Sequence, residues 1–225
     1  MFADIKDFNE KRYSTAESVN VNDIRIQKIA KLIGTGKSVL DLGCFKGDIS
    51  LLIKQKGNEV YGVEMSKTCV DICVQKGLPV KVCDIEHEEI PFDQKFDCVL
   101  CGELIEHVID TDGLLTKIYN ALTDTGFLVV TTPNLASFGR RILLLAGLNP
   151  LTEVSYDEKA AGHLRYFVES SLKGLLEKNG FYVEEYTSDV INFDNAGRLS
   201  FTSLASLFPE LGATIIMKCK KKPLQ

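Results

Sequence analysis

Val39-Leu40-Asp41-Leu42-Gly43-Cys44-Phe45-Lys46-Gly47-Asp48 is the stretch from which the rest of the chain is read. An apolar run that starts at Ser38 carries one acid, Asp41, and gives way to a loop opened by Gly43 and closed by Gly47. A helix-compatible segment begins at Asp48. Strand, tight loop and helix in that order describe the carboxyl end of a strand in an α/β sheet, where such sheets bind their ligands. The glycines let a ligand approach the backbone closely. The acid narrows the choice of ligand: Asp41 would repel a pyrophosphate, which prefers a helix N-terminus without nearby negative charge, and would suit ammonium, hydroxyl or sulfonium groups. Phe45 is the irregular member. A bulky residue is costly at positive φ, so either this position keeps negative φ or the loop is distorted.

The pattern extends in both directions as alternating strands and helices. Helices are predicted at Asp23–Leu32, Asp48–Lys56, Ser66–Lys76, Thr111–Leu122 and Ser170–Asn179, and strands at Ser38–Leu42, Glu59–Glu64, Pro79–Cys83, Phe96–Cys101, Gly126–Thr132, Phe181–Tyr186 and Ala213–Lys218. This order predicts a doubly wound sheet with right-handed crossovers. The last strand follows the sixth without a crossover helix, which points to an antiparallel partner. Neither an internal repeat nor a low-complexity linker divides the chain, so residues 1–225 read as one domain. Two segments fall outside the alternation, near 135–167 and near 191–211. Inserts of that length usually serve as lids or binding loops. The first carries Phe138, Ile142, Leu143, Leu144 and Leu145 beside Arg140 and Arg141, the pattern of an amphipathic helix that either packs on its own domain or caps a substrate.

Acids recur at successive strand ends. Glu64 closes the second strand about 20 residues past the glycine loop, where a carboxylate is placed to bind both ribose hydroxyls of a nucleoside. That acid would suit NAD as well, but the dinucleotide fingerprint G-x-G-x-x-G is missing, with Cys44, Phe45 and Lys46 between Gly43 and Gly47. Asp84-Ile85 follows the third strand, and Gly102-Glu103-Leu104-Ile105-Glu106-His107 the fourth.

With Asp41 to Gly47 these residues resemble the class I S-adenosylmethionine-dependent methyltransferases, whose first cofactor motif is Asp/Glu-x-Gly-x-Gly-x-Gly. Phe45 stands where the second glycine is usual. The Glu103-x-x-Glu106-His107 run and the later His163-Leu164-Arg165-Tyr166-Phe167 resemble segments of the ubiquinone-biosynthesis O-methyltransferases and similar proteins. The resemblance implies a Rossmann-like seven-stranded sheet, mostly parallel with an antiparallel last strand. It implies S-adenosylmethionine held by Asp41, Gly43, Cys44, Phe45, Gly47, Glu64, Met65, Gly102 and Glu103. Asp84 would bond the adenine amino group with Ile85 on the ring, and Arg25 would reach the methionine carboxylate. His107 or His163 would take the proton of an acceptor hydroxyl. Arg165 would pair with an anionic substrate or hold the lid, and Thr132-Pro133-Asn134 would face the same crevice. If 103–107 is helical, Glu103, Glu106 and His107 share a face and form an alternative site for a divalent cation, as some relatives use.

Composition limits the partners. A net charge of −5 disfavours nucleic acid, and Lys218, Lys220, Lys221 and Lys222 read as a solvated, frayed tail. No apolar run approaches the roughly 20 residues of a membrane span, and the polar segment Met1–Arg12 is no secretory signal. Seven cysteines, an odd number without framework spacing, point to a reducing, cytoplasmic setting. Cys69 with Cys73, and Cys98 with Cys101, read as buried thiols rather than metal ligands. The expected activity is methyl transfer to a small-molecule acceptor, lipid- or sugar-linked acceptors included. Two alternatives are a non-catalytic cofactor-binding partner protein and an NAD-dependent dehydrogenase.

Overall fold

The computed structural model describes residues 17–151, 162–192 and 200–223. In chain order its elements are α1 (Ile24–Ile33), β1 (Ser38–Leu42), α2 (Asp48–Gln55), β2 (Glu59–Glu64), α3 (Lys67–Gln75), β3 (Val80–Val82) and β4 (Phe96–Gly102). After a 3-10 turn at Ile105–His107 come α4 (Thr111–Ala121), β5 (Leu122–Pro133), α5 (Phe138–Leu145), α6 (Glu169–Lys178), β6 (Phe181–Thr187), β7 (Ile191–Asn192), β8 (Ser200–Phe201), α7 (Thr202–Leu207) and β9 (Thr214–Lys221).

Seven strands form one sheet in the order β3-β2-β1-β4-β5-β9-β6. β1, β2, β3, β4 and β5 run parallel, while β9 lies antiparallel between β5 and β6. This is the expected doubly wound arrangement, and the reversed strand is the one that lacks a crossover helix. The sheet has two buried faces. Leu40, Leu42, Val63, Val99 and Cys101 belong to one apolar cluster, and Val39, Val60, Cys98 and Leu100 to the other. Residues alternate between the faces because the strand period is two, and both faces are covered because βαβ crossovers place helices on each side. The strand sequences accordingly read as continuous apolar runs.

Local chemistry fixes the helix starts. Asp23, Ser66 and Asp110 each accept a backbone N–H from the first turn of the helix they precede. Most element ends differ from expectation by a residue or two, while β5 begins four residues earlier, at Leu122, and β9 runs three residues further, to Lys221. Two expectations fail. The 103–107 segment is not an α-helix: Glu103 has φ +53°, and only Ile105–His107 forms a 3-10 turn. Nor are the C-terminal lysines a frayed tail. Lys218, Lys220 and Lys221 lie in β9, where Glu184 pairs with the first two at 3.4 and 2.5 Å. Lys222 donates to the Glu177 carbonyl at 2.6 Å. Residues 152–161 and 193–199 of the two inserts lie outside the described residues.

Candidate active site

The loop from Gly43 to Gly47 is held from below. The N–H groups of Gly43 and Cys44 both donate to the Val63 carbonyl on β2, at 2.9 and 3.2 Å. Gly47 turns the chain into α2 at φ +76°, and a Cβ added there would sit 2.6 Å from Leu78 Cδ1 and 2.9 Å from Cys73 Sγ. Only glycine fits that position. Phe45 resolves the ambiguity left by its sequence, since it adopts positive φ at +50°. Its N–H donates to Glu64 Oε2 at 3.0 Å, which helps to offset the strain of a left-handed bulky residue.

The strand-end acids each have their own partners. Asp41 is buried on β1 and accepts the Ser50 hydroxyl of α2 at 2.5 Å. Burial pushes its carboxyl up to about 7, the Ser50 hydrogen bond pulls the other way, and the Glu64 charge raises it further. Glu64 bridges loop and helix, accepting Phe45 N–H through Oε2 and Ser66 N–H through Oε1 at 2.9 Å. Asp84 follows β3, where its Oδ1 accepts the Glu86 N–H at 3.3 Å and its Oδ2 lies 3.1 Å from His87 Nδ1. Ile85 packs against the core beside it, and Met65 is half-buried next to Glu64. Glu103 ends this series beyond β4 and Gly102. Its Oε2 pairs with Arg25 NH1 at 3.0 Å, and its Oε1 accepts the Thr131 hydroxyl at 2.9 Å.

These donors and acceptors fit S-adenosylmethionine. Carboxylates at the ends of β1, β2 and β4 and after β3 suit ribose hydroxyls and cationic ammonium or sulfonium groups. A close-packed glycine turn lets a ligand approach the backbone closely. The same carboxylates would oppose the pyrophosphate of a dinucleotide.

A second group sits beside them. The 3-10 turn after β4 and the segment before α6 bring Glu106, His107 and His163 together, so that one ligand atom from each lies within 4.8 Å of the others. His163 Nε2 is 4.0 Å from Glu106 Oε1, and the two imidazole centroids are 4.9 Å apart. His107 Nδ1 lies 3.1 Å from the Gly162 carbonyl, which leaves Nε2 as the basic nitrogen of that tautomer. Glu106 is 1% exposed, and neither carboxylate oxygen has a hydrogen-bond partner. Burial first, then the Glu103 charge, pushes its carboxyl up to about 8, while the Thr132 hydroxyl beside it pulls the other way. This group is not the expected one. Because 103–107 does not form an α-helix, Glu103 leaves the set, turns to Arg25 and Thr131, and His163 replaces it.

Arg165 takes the lid-holding role among those expected of it: both terminal guanidinium nitrogens donate to the Val108 and Ile109 carbonyls, tying the first insert to the segment after the 3-10 turn. Asn134 is directed into the second insert, where Nδ2 donates to the Glu210 and Gly212 carbonyls at 3.0 and 2.9 Å. Two residues were overlooked, Ser50 and Thr131, whose hydroxyls hold Asp41 and Glu103. Ser50 could have been found as the third residue of the helix that follows the glycine loop. Thr131 carries no local signal because it meets Glu103 only through the pairing of β4 with β5.

Residues 18–186 match the family model described as a methyltransferase domain, and the chain belongs to that family. Its family and fold are those of the class I S-adenosylmethionine-dependent methyltransferases. It is similar to the ubiquinone biosynthesis O-methyltransferase of Alkalilimnicola ehrlichii, 26% identical over 124 residues that make up 51% of this chain and 50% of the relative. The Proteus mirabilis protein of the same name is 30% identical over 44% of this chain and 43% of its own. The chain therefore spans about half the length of the curated relatives it matches. Among solved structures it resembles the CcbJ methyltransferase of Streptomyces caelestis, with a TM-score of 0.68 at 15% identity over 95% and 96% of the two chains. The 1,6-didemethyltoxoflavin-N1-methyltransferase of Burkholderia thailandensis, which holds S-adenosylhomocysteine, aligns with a TM-score of 0.65 at 13% identity over 97% and 87%. Identities this low establish the shared fold. Among the described residues, no helix is long and apolar enough to cross a membrane.

Proposed function

We propose that this chain transfers the methyl group of S-adenosylmethionine to a hydroxyl of a small-molecule acceptor. The observation that carries the reading is the Glu106, His107 and His163 group placed beside the strand-end acids. The bound cofactor supplies an already activated methyl, so the protein has to position the reactants, exclude water and remove one proton. The Asp41, Glu64, Asp84 and Glu103 carboxylates, with Arg25, hold the cofactor. His163 Nε2 accepts the hydroxyl proton, and Glu106, 4.0 Å away, gains a reason to ionise as the imidazolium forms and then steadies it. His107 is the second imidazole within reach. Similarity to O-methyltransferases supports oxygen as the acceptor atom, and the net charge of −5 favours a small metabolite over nucleic acid. Seven cysteines that are buried and unlinked support a reducing, cytoplasmic location.

The test is release of S-adenosylhomocysteine across a panel of phenolic and sugar hydroxyl acceptors. His163→Ala should lower kcat about 1000-fold with cofactor binding retained. A variant that turns over at the wild-type rate would remove His163 from the reaction. A wild type that binds the cofactor yet methylates nothing would favour a non-catalytic cofactor-binding partner.

A second reading rests on the same three side chains. One buried carboxylate lacking hydrogen bonds and two imidazoles form a donor set suited to a divalent cation. Such an ion would lower the pKa of a coordinated acceptor hydroxyl. Elemental analysis of the purified protein, with turnover measured before and after chelation, decides between an imidazole base and an ion.

A further inference from the structure

His163 and the Asp84–Ile85 turn lie far apart in the chain, yet one carboxylate stands between them. Glu86 follows Asp84 by two residues on the turn after β3. Its Oε2 accepts the Ile109 N–H at 3.0 Å and its Oε1 the Asp110 N–H at 2.8 Å. Hydrogen bonds to an ionised carboxylate are roughly twice as strong as neutral ones.

Helix capping does not account for this arrangement. α4 starts at Thr111, and Asp110 already accepts the Gly113 N–H at 2.8 Å, so the helix has its own cap. The two amides that Glu86 takes lie before that helix. Burial does not hold the segment there either, because Ile109 is 69% exposed. Ile109 is placed by hydrogen bonds on both sides: Glu86 takes its N–H, and Arg165 donates to its carbonyl and to that of Val108.

Both ends of this bridge are fixed in turn. On one side, Lys117 of α4 donates to the Ile85, Glu86 and Glu88 carbonyls at 2.7, 3.4 and 2.8 Å, so one ammonium closes the turn. On the other, the Leu164 and Arg165 N–H groups both donate to the Glu106 carbonyl, at 2.9 and 3.2 Å. His163 is the next residue toward the N-terminus, with Nε2 4.0 Å from Glu106 Oε1. We infer that Glu86 is a positioning residue for the acceptor side: by fixing Ile109 and Asp110 it sets where Arg165, and with it His163, stands relative to the Asp84–Ile85 turn. This role rests on His163 being the base. Glu86 reaches that base only through backbone, so it takes no part in proton transfer and contributes alignment, where a misplacement of about 1 Å costs about 100-fold in rate.

Hydrogen exchange on the full chain, read by mass spectrometry, tests the path without an acceptor. In Glu86→Ala the Leu164 and Arg165 amides should exchange about tenfold faster than in wild type, although neither bonds to Glu86. Glu86→Gln keeps one acceptor oxygen and should fall between the two. Exchange at 164–165 equal to wild type overturns the proposal. If the alanine variant exchanges faster throughout the sheet it has lost its fold, and the glutamine variant decides by the same criterion. Turnover on the phenolic and sugar hydroxyl panel is the second readout. Glu86→Ala should lower kcat at least about tenfold, with the Kd for S-adenosylmethionine changed less than about twofold. Adding Arg165→Ala should give a double variant no slower than Arg165→Ala alone, because both changes break one path. Losses that multiply, or a loss confined to cofactor affinity, overturn the proposal. His163→Ala is measured alongside. If it is inactive while Glu86→Ala matches wild type, only the role of Glu86 falls; if it turns over normally, the assignment of His163 as the base falls first.

Discussion

Glu64 at the end of β2 and Glu106 after β4 are both buried carboxylates, and they are treated in opposite ways. Glu64 accepts two backbone N–H groups, from Phe45 and Ser66, and so is a keystone of the glycine loop. Glu106 has no hydrogen-bond partner on either oxygen and faces His163. The contrast divides the crevice by task. On the β1–β3 side, acids are fixed in advance by protein partners, the arrangement an invariant cofactor would call for. On the β4–β5 side, polar groups are left unmet, which is expected where a reacting group or an ion completes them.

Asp41 offers the largest test of that division. Burial raises its carboxyl from 3.8 to about 7, so the folded chain holds the proton more tightly than the unfolded chain. The stability contributed by this group is full below about pH 4 and is lost as pH rises through about 7. The loss amounts to about 4 kcal/mol at 1.36 kcal/mol per pKa unit. Asp41→Asn keeps an acceptor for Ser50 and should flatten the fall in denaturation midpoint between pH 4 and pH 7. An unchanged pH slope would mean that Asp41 is ionised throughout.

Glu64→Ala comes next. Losing a carboxylate that anchors two N–H groups and meets the ribose should weaken S-adenosylmethionine about 100-fold by calorimetry, about 2.7 kcal/mol. A loss of less than threefold would put the ribose elsewhere. Gly47→Ala is the smallest of the three. Its Cβ would land 2.6 Å from Leu78 Cδ1 at φ +76°, which should cost about 2 kcal/mol in chemical denaturation. A neutral outcome would show that the loop is not held as firmly as its hydrogen bonds suggest.

How much of this was legible in the sequence depended on distance along the chain. The strand–loop–helix at Asp41 to Asp48 and the acids at strand ends are local signals tied to strand periodicity, so the sheet and the places of these acids on it could be read directly. The reversed β9 was legible from the missing crossover helix. The acceptor side was not. Glu103 and Glu106 share a helix face only if a helix forms, and a left-handed Glu103 separates them. His163 joins Glu106 through an insert whose path no periodicity encodes. A linear reading leaves Arg165 between substrate and lid and places Asn134 at the crevice, and only the fold shows both donating to backbone carbonyls. The basic tail looked solvated because its partners, Glu184 and Glu177, lie elsewhere in the sequence.

Calorimetric titration of the wild-type chain with S-adenosylmethionine, and in parallel with NADH, bears most directly on the central claim. One-site binding of S-adenosylmethionine with no heat from NADH is the predicted result. A folded protein that ignores S-adenosylmethionine, or that binds NADH tightly, would contradict it.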